Sequence, residues 1–280
     1  MLHSTGVTGP MFLLFDAAFV ALVTVVLGTS AAAVAALVDV LPLPRVALAF
    51  LAPIFGLLFL CGVIAMLGLV RLCLPRLPEG RFRFPGDAGA RAWVLHFALG
   101  RIAAWPIFSP FFFSFAFLRY LLLRALGARV PFVLHTSSDV GIIDAPLVEL
   151  GRNTMLGGNV LLAGHMMQEE ILVTGALRLG EEVQVGGGCR LVGPGRVGAR
   201  TSLGPSCTIA PHVSIGADCH IGAGTMVASH VEIDHDVVIG NDVRVDSNVE
   251  IGAGAVIASG TRVGKGTKVA PGAHLPARAT

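Results

Sequence analysis

Charge is scarce in this chain. Of its 280 residues, 14% are Asp, Glu, Lys or Arg and 54% are hydrophobic, whereas a soluble globular domain carries roughly 25% charged residues. The shortage is uneven. Residues 1–125 hold nearly all the aromatic side chains, while residues 131–280, rich in Gly, Val and Ile, contain a single Phe, Phe132. Two compositions imply two physical environments. The net charge of +2 comes without a Lys/Arg stripe interleaved with aromatics, so nucleic acid is not an expected partner. Five cysteines form no CxxC pair and no Cys/His cluster with zinc spacing, and no metal is expected from them. Cys61 and Cys73 lie in or beside an apolar run, and Cys189, Cys207 and Cys219 read as small buried hydrophobes.

What the first half has instead is long apolar runs. Met11 to Val38 carries one charge, Asp16, and Val46 to Val70 carries none; each exceeds the roughly 20 apolar residues that cross a bilayer core. The Pro-rich connector Leu41-Pro42-Leu43-Pro44-Arg45 predicts a hairpin of two transmembrane helices, about 11–38 and 46–70. A cleavable signal peptide is disfavoured, because the first run lacks a basic leader and a second full-length run follows. Arg71, Arg76, Arg81, Arg83 and Arg91 follow the hairpin, against Arg45 alone in the connector. The positive-inside rule therefore predicts a multi-pass protein of the inner (cytoplasmic) membrane with both hairpin ends cytoplasmic. Between Arg101 and Arg119 lie seventeen uncharged residues with Pro106, Pro110 and six Phe. They predict an interfacial or re-entrant helix over about 92–125 rather than a third crossing. Residues 1–130 are thus expected to form a membrane domain.

Residues 131–280 have a period of six. Every sixth residue from Leu179 through Leu191, Ile209, Ile221, Ile239 and Ile257 to Val269 is aliphatic, sixteen in sixteen, and nine of the following residues are Gly. Two places before the aliphatic residue lies mostly a small or β-branched one, such as Thr201, Cys207, Cys219 and Thr225. A helix would show a 3.6-residue period. A strict six over ninety residues predicts a triangular β-solenoid, three hexads to a coil, with the aliphatic residue inside and Gly helping the chain to turn. Upstream, Leu150, Leu156 and Leu162 keep the pattern, but Leu162 to Leu179 is seventeen, one short of three hexads. The register breaks at Ala163-Gly164-His165-Met166-Met167-Gln168-Glu169-Glu170, and a loop pushed out of a rigid scaffold is where chemistry tends to be placed.

Around this break the sequence resembles the maltose and galactoside acetyltransferase group of hexapeptide-repeat enzymes. The resemblance covers about fifty residues: Ile143-Asp144, Leu150-Gly151, Asn153, Asn159-Val160, Ala163-Gly164-His165 and the return Leu179-Gly180 to Gly186-Gly187-Gly188. It implies a left-handed parallel β-helix, against the usual right-handed crossover. It also implies that His165 is the catalytic base and Asp144 a neighbouring acceptor-site or orienting carboxylate. Two departures stand out: Met166 replaces the Pro common after that histidine, and the membrane half is foreign to the group. Similar too are the membrane-embedded hexapeptide modules of poly-lysine-type peptide synthetases, which pair transmembrane helices with a His followed by acidic residues. A thioester is already activated, so acyl transfer asks for a base and an oxyanion donor. His165 suits the first role, and Glu169 or Glu170 could orient it or hold a cationic acceptor.

A second pair, His235-Asp236, resembles the His-Asp/Asn that precedes a hexad in the acyltransferases of lipid A synthesis, and is a second candidate base. His230 and His235 resemble the metal pair of γ-class carbonic anhydrases, but Pro194 stands where the third ligand would be. The expectation is therefore a membrane-anchored acyltransferase. It would move an acyl group from coenzyme A or a carrier protein to a hydroxyl or amine of an amphiphilic or lipid-linked acceptor. No bound cofactor is expected; membrane lipids, a homotrimer and an acyl or peptidyl carrier protein are the expected partners, with the β-helix cytoplasmic. The rival readings are a non-catalytic membrane scaffold and a γ-class carbonic anhydrase-like metalloenzyme.

Overall fold

Both long apolar runs are helical in the computed structural model, which describes residues 9–41, 44–106 and 108–276. Helix α1 is Gly9–Val40 and α2 is Arg45–Cys73; Pro42 and Leu43 of the connector lie outside the described residues. The windows Val23–Val40 and Pro53–Cys73 are long and apolar enough to cross a membrane. The helices cross where small residues meet: a Cβ on Gly62 would stand 3.3 Å from Ser30 Cβ. The Ser30 hydroxyl donates back to the Val26 carbonyl, which leaves the contact without a stranded donor. Val25, Leu57, Leu58 and Leu69 stay exposed on the outside.

The segment expected as one helix over 92–125 is three: α3 Ala88–Ala103, α4 Ser109–Ser114 and α5 Ala116–Leu126. Pro106 ends the first helical run, since it removes a backbone N–H and biases the preceding residue away from helix. Even the longest, at 16 residues, rises only about 24 Å, short of a roughly 30 Å core. Arg119, a flanking charge by sequence, is buried. Its guanidinium donates to the carbonyls of Phe113 at 3.1 Å and Leu134 at 2.5 Å, tying α4 to the entrance of the solenoid.

From Arg129 onward the chain coils as a left-handed parallel β-helix of about eight turns, with three parallel sheets of eight, seven and seven strands. All sixteen aliphatic positions of the six-residue repeat are buried. Equivalent residues recur every eighteen, as Gln184, Ser202 and His220 do in one sheet. The small residues beside them are satisfied within the stack: Thr201 Oγ1 and Thr225 Oγ1 donate to the carbonyls of Gly216 and Gly240 one coil on. The glycines have a different cause from turning. A Cβ on Gly198 would stand 2.4 Å from the Gly216 carbonyl carbon, and one on Gly216 2.6 Å from that of Asp234. They allow close approach between coils; left-handed φ falls two residues later, at Arg200, Asp218 and Asp236.

The register break is an insertion. Leu150 pairs with Leu179, Leu156 with Val185 and Leu162 with Leu191, each 29 residues apart instead of eighteen. Eleven residues therefore leave the second coil, and the seventeen between Leu162 and Leu179 is one hexad plus eleven. They form an antiparallel hairpin, His165–Gln168 with Ile171–Thr174. Its second strand pairs antiparallel with Gly80–Arg83, just after α2, and so lies at the centre of a three-stranded sheet. Under this three-stranded sheet α3 packs a small second core of Ala90, Trp93 and Leu172 with Phe82, Phe84 and Phe97 around it. The halves interlock at the hairpin.

Candidate active site

The hairpin leaves the solenoid at a corner where the coil before it also swells. Ile142 stacks on Leu162 twenty residues on, and the two extra residues of the first coil are taken up at the three-residue 3-10 turn Ala145–Leu147. Asp144 opens that turn with φ of 60°, a left-handed conformation that Asp tolerates better than most residues. Ile143 stacks on Ala163, so the next residue of one coil, Asp144, meets the Gly164-His165 step of the other. Gly164 permits this, since a Cβ there would stand 2.7 Å from Leu147 Cβ and 3.2 Å from Asp144 Cβ.

The buried Asp144 carboxylate accepts three hydrogen bonds: from Trp93 Nε1 at 2.9 Å, from the Gly164 backbone N–H at 3.1 Å and from His165 Nδ1 at 2.5 Å. A carboxylate buried with several donors is satisfied as an anion. Because it only accepts, Nδ1 carries the imidazole proton and Nε2 holds the lone pair. The His165 ring packs on Trp93, centroids 4.7 Å apart, with Phe97 edge-on at 6.3 Å. An oriented, half-buried imidazole with a free basic nitrogen can take a proton from a hydroxyl or amine.

The other candidates fall elsewhere. Glu169 and Glu170 form the hairpin's turn, at the opposite end of its strands from His165. Glu170 pairs loosely with Arg83 at 3.6 Å, both exposed, and the carboxylate hydrogen-bonded to His165 is that of Asp144. His235 and Asp236 bond to each other at 2.7 Å on an exposed corner several coils away, where Asp236 first, then Asp234, raise the imidazole above its ordinary value. His230 sits at the other end of the strand Val231–Ile233 and stacks on His212, centroids 4.7 Å apart. The two supposed metal histidines thus face different corners. Among the described residues no group of three His, Cys, Asp or Glu side chains could hold a metal. The residue missed by sequence reasoning is Trp93. Its spacing with Ala90 and Phe97 is what any core stripe shows, and only the fold brings it to Asp144.

Residues 194–229 match the family model described as bacterial transferase hexapeptide (six repeats). That match lies within the solenoid and agrees with its six-residue repeat. No curated protein matches the chain. Solved structures similar to it include a Bacillus cereus protein assigned as an acetyltransferase, at 21% identity, covering 49% of this chain and 69% of that one, with a TM-score of 0.34. A UDP-N-acetylglucosamine O-acyltransferase from Moraxella catarrhalis is 14% identical over 49% of this chain and 60% of its own, with a TM-score of 0.28. A variant of perosamine N-acetyltransferase from Caulobacter crescentus, in complex with CoA and GDP-perosamine, is 18% identical over 54% and 58%, with a TM-score of 0.30. The chain spans 60% and 58% of the length of the last two.

Proposed function

We propose that this protein is a membrane-anchored acyltransferase in which His165 is the general base. It moves an acyl group from a coenzyme A or carrier-protein thioester to a hydroxyl or amine of an amphiphilic or lipid-linked acceptor. The observation that carries the reading is the buried Asp144–His165 pair at the foot of the hairpin. The acceptor's proton passes to Nε2 of His165, the freed oxygen or nitrogen attacks the thioester carbonyl, and collapse of the tetrahedral intermediate expels the thiolate. Asp144 fixes the tautomer and stabilises the imidazolium that forms. Helices α1 and α2 are the anchor, with the β-helix on the cytoplasmic side, where thioester donors are found. A concavity of about 560 Å³ begins at Ala176 beside the hairpin, where Arg178, Arg196, His212 and His230 line it together with Glu79, Glu232 and Glu250. Hexapeptide-repeat transferases are often trimers, and a homotrimer is the assembly we favour.

The test is thiol release by the purified full-length protein in detergent, across acyl-CoA chain lengths and with acyl carrier protein, for the natural chain, His165→Ala and His235→Ala. The expected outcome is loss of about 10²–10⁴-fold in His165→Ala, with His235→Ala unchanged. Release that survives His165→Ala and is lost in His235→Ala would move the site to the exposed pair.

A further inference from the structure

The base and its carboxylate come from the solenoid, but a third group at the site comes from the other half of the chain. Trp93 lies on α3, between the hairpin and the helices that follow the two apolar spans. Ala90, Trp93 and Phe97 lie on one face of α3, and that face covers the three-stranded sheet carrying His165. Trp93 makes two contacts there of different kinds. Its indole N–H donates to Asp144 Oδ1, the oxygen that does not bond His165, and its ring covers the imidazole at 4.7 Å. Indole nitrogen is a donor only, so it cannot take the proton that His165 moves. We propose that Trp93 is a positioning residue of the acyl-transfer site, setting through Asp144 how strongly the carboxylate holds the His165 imidazole. The proposal rests on the reading of His165 as the base.

The chemistry fixes a direction. A donor on Oδ1 draws charge away from Oδ2, so Asp144 holds a protonated imidazole less tightly than it would alone. Removing that donor concentrates charge on Oδ2, and His165 keeps its proton to higher pH. Loss of mere packing would also let water reach the imidazole and move the titration upward, but it would do so equally in an Asp144→Asn background, where the effect carried through the carboxylate is gone. The same arrangement makes α3 part of the site and not only part of the anchor. A helix joined to the spans thereby places a donor on the carboxylate that holds a histidine of the β-helix.

The experiment is an NMR titration of the His165 imidazole in the full-length protein in detergent, its signal identified by disappearance in His165→Ala. It is run for the natural chain and Trp93→Phe beside the pH profile of thiol release. Trp93→Phe is expected to move the His165 titration to higher pH, to carry the acid limb of the profile with it, and to lower release about tenfold. In an Asp144→Asn background the further change from Trp93→Phe should vanish, as expected of groups acting in series. An unmoved titration, or one that moves while release stays unchanged, overturns the role. Should Trp93→Phe not fold, fluorotryptophan in a Trp105→Phe background makes the indole N–H more acidic, and the titration then moves to lower pH; no movement overturns the proposal equally. If instead release proves independent of His165 while the titration shifts, the reading of the base fails and the coupling of Trp93 to Asp144 stands.

Discussion

Two His–Asp pairs lie on this solenoid, and their hydrogen bonds are nearly alike: 2.5 Å from His165 to Asp144 and 2.7 Å from His235 to Asp236. Their surroundings are not. The side chains of His165 and Asp144 are 18% and 0% exposed, those of His235 and Asp236 59% and 64%. Water solvates and screens the second pair, so its geometry is worth little. At the first pair the carboxylate has exchanged water for three fixed donors, and the imidazole has an aromatic floor. A bond length says little about which histidine is poised for chemistry; what surrounds the carboxylate says more. The repeat produces corner histidines easily, and two stacked insertions make one corner different.

The strongest way to break this comparison is to neutralise each carboxylate in turn. Asp144→Asn offers His165 either an amide oxygen or an amide nitrogen, so the tautomer is no longer fixed and the imidazolium loses its counter-charge. Thiol release should fall about 10²-fold or more, whereas Asp236→Asn should leave it within about twofold. Equal losses at the two positions would erase the distinction. A smaller effect sharpens it sterically. Gly164→Ala forces a methyl against Leu147 and Asp144, an overpacking that costs about 1–3 kcal/mol and displaces the carboxylate from His165. Gly264, whose nearest neighbour to a new Cβ is Thr267 Oγ1 at 3.8 Å, should accept Ala within about 0.5 kcal/mol. Thermal melting and thiol release on both variants check the pair; melting that drops equally would mean that Gly164 matters only as a solenoid glycine.

The solenoid was legible because its physics is one-dimensional. One residue in six must fill the interior, and Leu179 to Val269 record that without a slip. The break was legible as a location but not as a shape. Seventeen residues read equally as a lost residue or as an added hairpin, and strand pairing settles it at eleven added. Asp144 and His165 are 21 apart, an eighteen-residue coil plus the two-residue swelling at Asp144 and one step, so their meeting follows once both insertions are known. The breaks in the aromatic segment were signalled by Pro106 and Pro110, but not that its charge Arg119 would turn inward to bond carbonyls of Phe113 and Leu134. Trp93 was illegible in principle. A tryptophan facing a core and one donating to a buried carboxylate occupy the same helical positions, and the contact joins residues 51 apart.

The smallest expected effect concerns histidines outside the site. His96 on α3 is buried with Nε2 2.9 Å from the Pro75 carbonyl. Burial, the largest influence, lowers its pKa from 6.5; the Pro75 carbonyl opposes this, Arg71 adds to it and Asp144 opposes it. The unfolded chain therefore binds a proton that the folded one refuses. The stability contributed by neutral His96 is fully present above about pH 6.5 and is lost as pH falls toward the lower folded value. His235 runs the other way: its pKa is raised, so its contribution is present below 6.5 and lost as pH rises through the folded value. It is fully exposed and screened by salt. Melting measured from about pH 8 to about pH 5 should show the natural chain losing stability on acidification, and His96→Gln losing less of it. His235→Asn should show a weaker slope change of opposite sign that disappears at high ionic strength. Parallel melting curves for the natural chain and His96→Gln would mean that the contact between α3 and the Pro75 segment opens to water in the folded protein, leaving both histidines equally solvated.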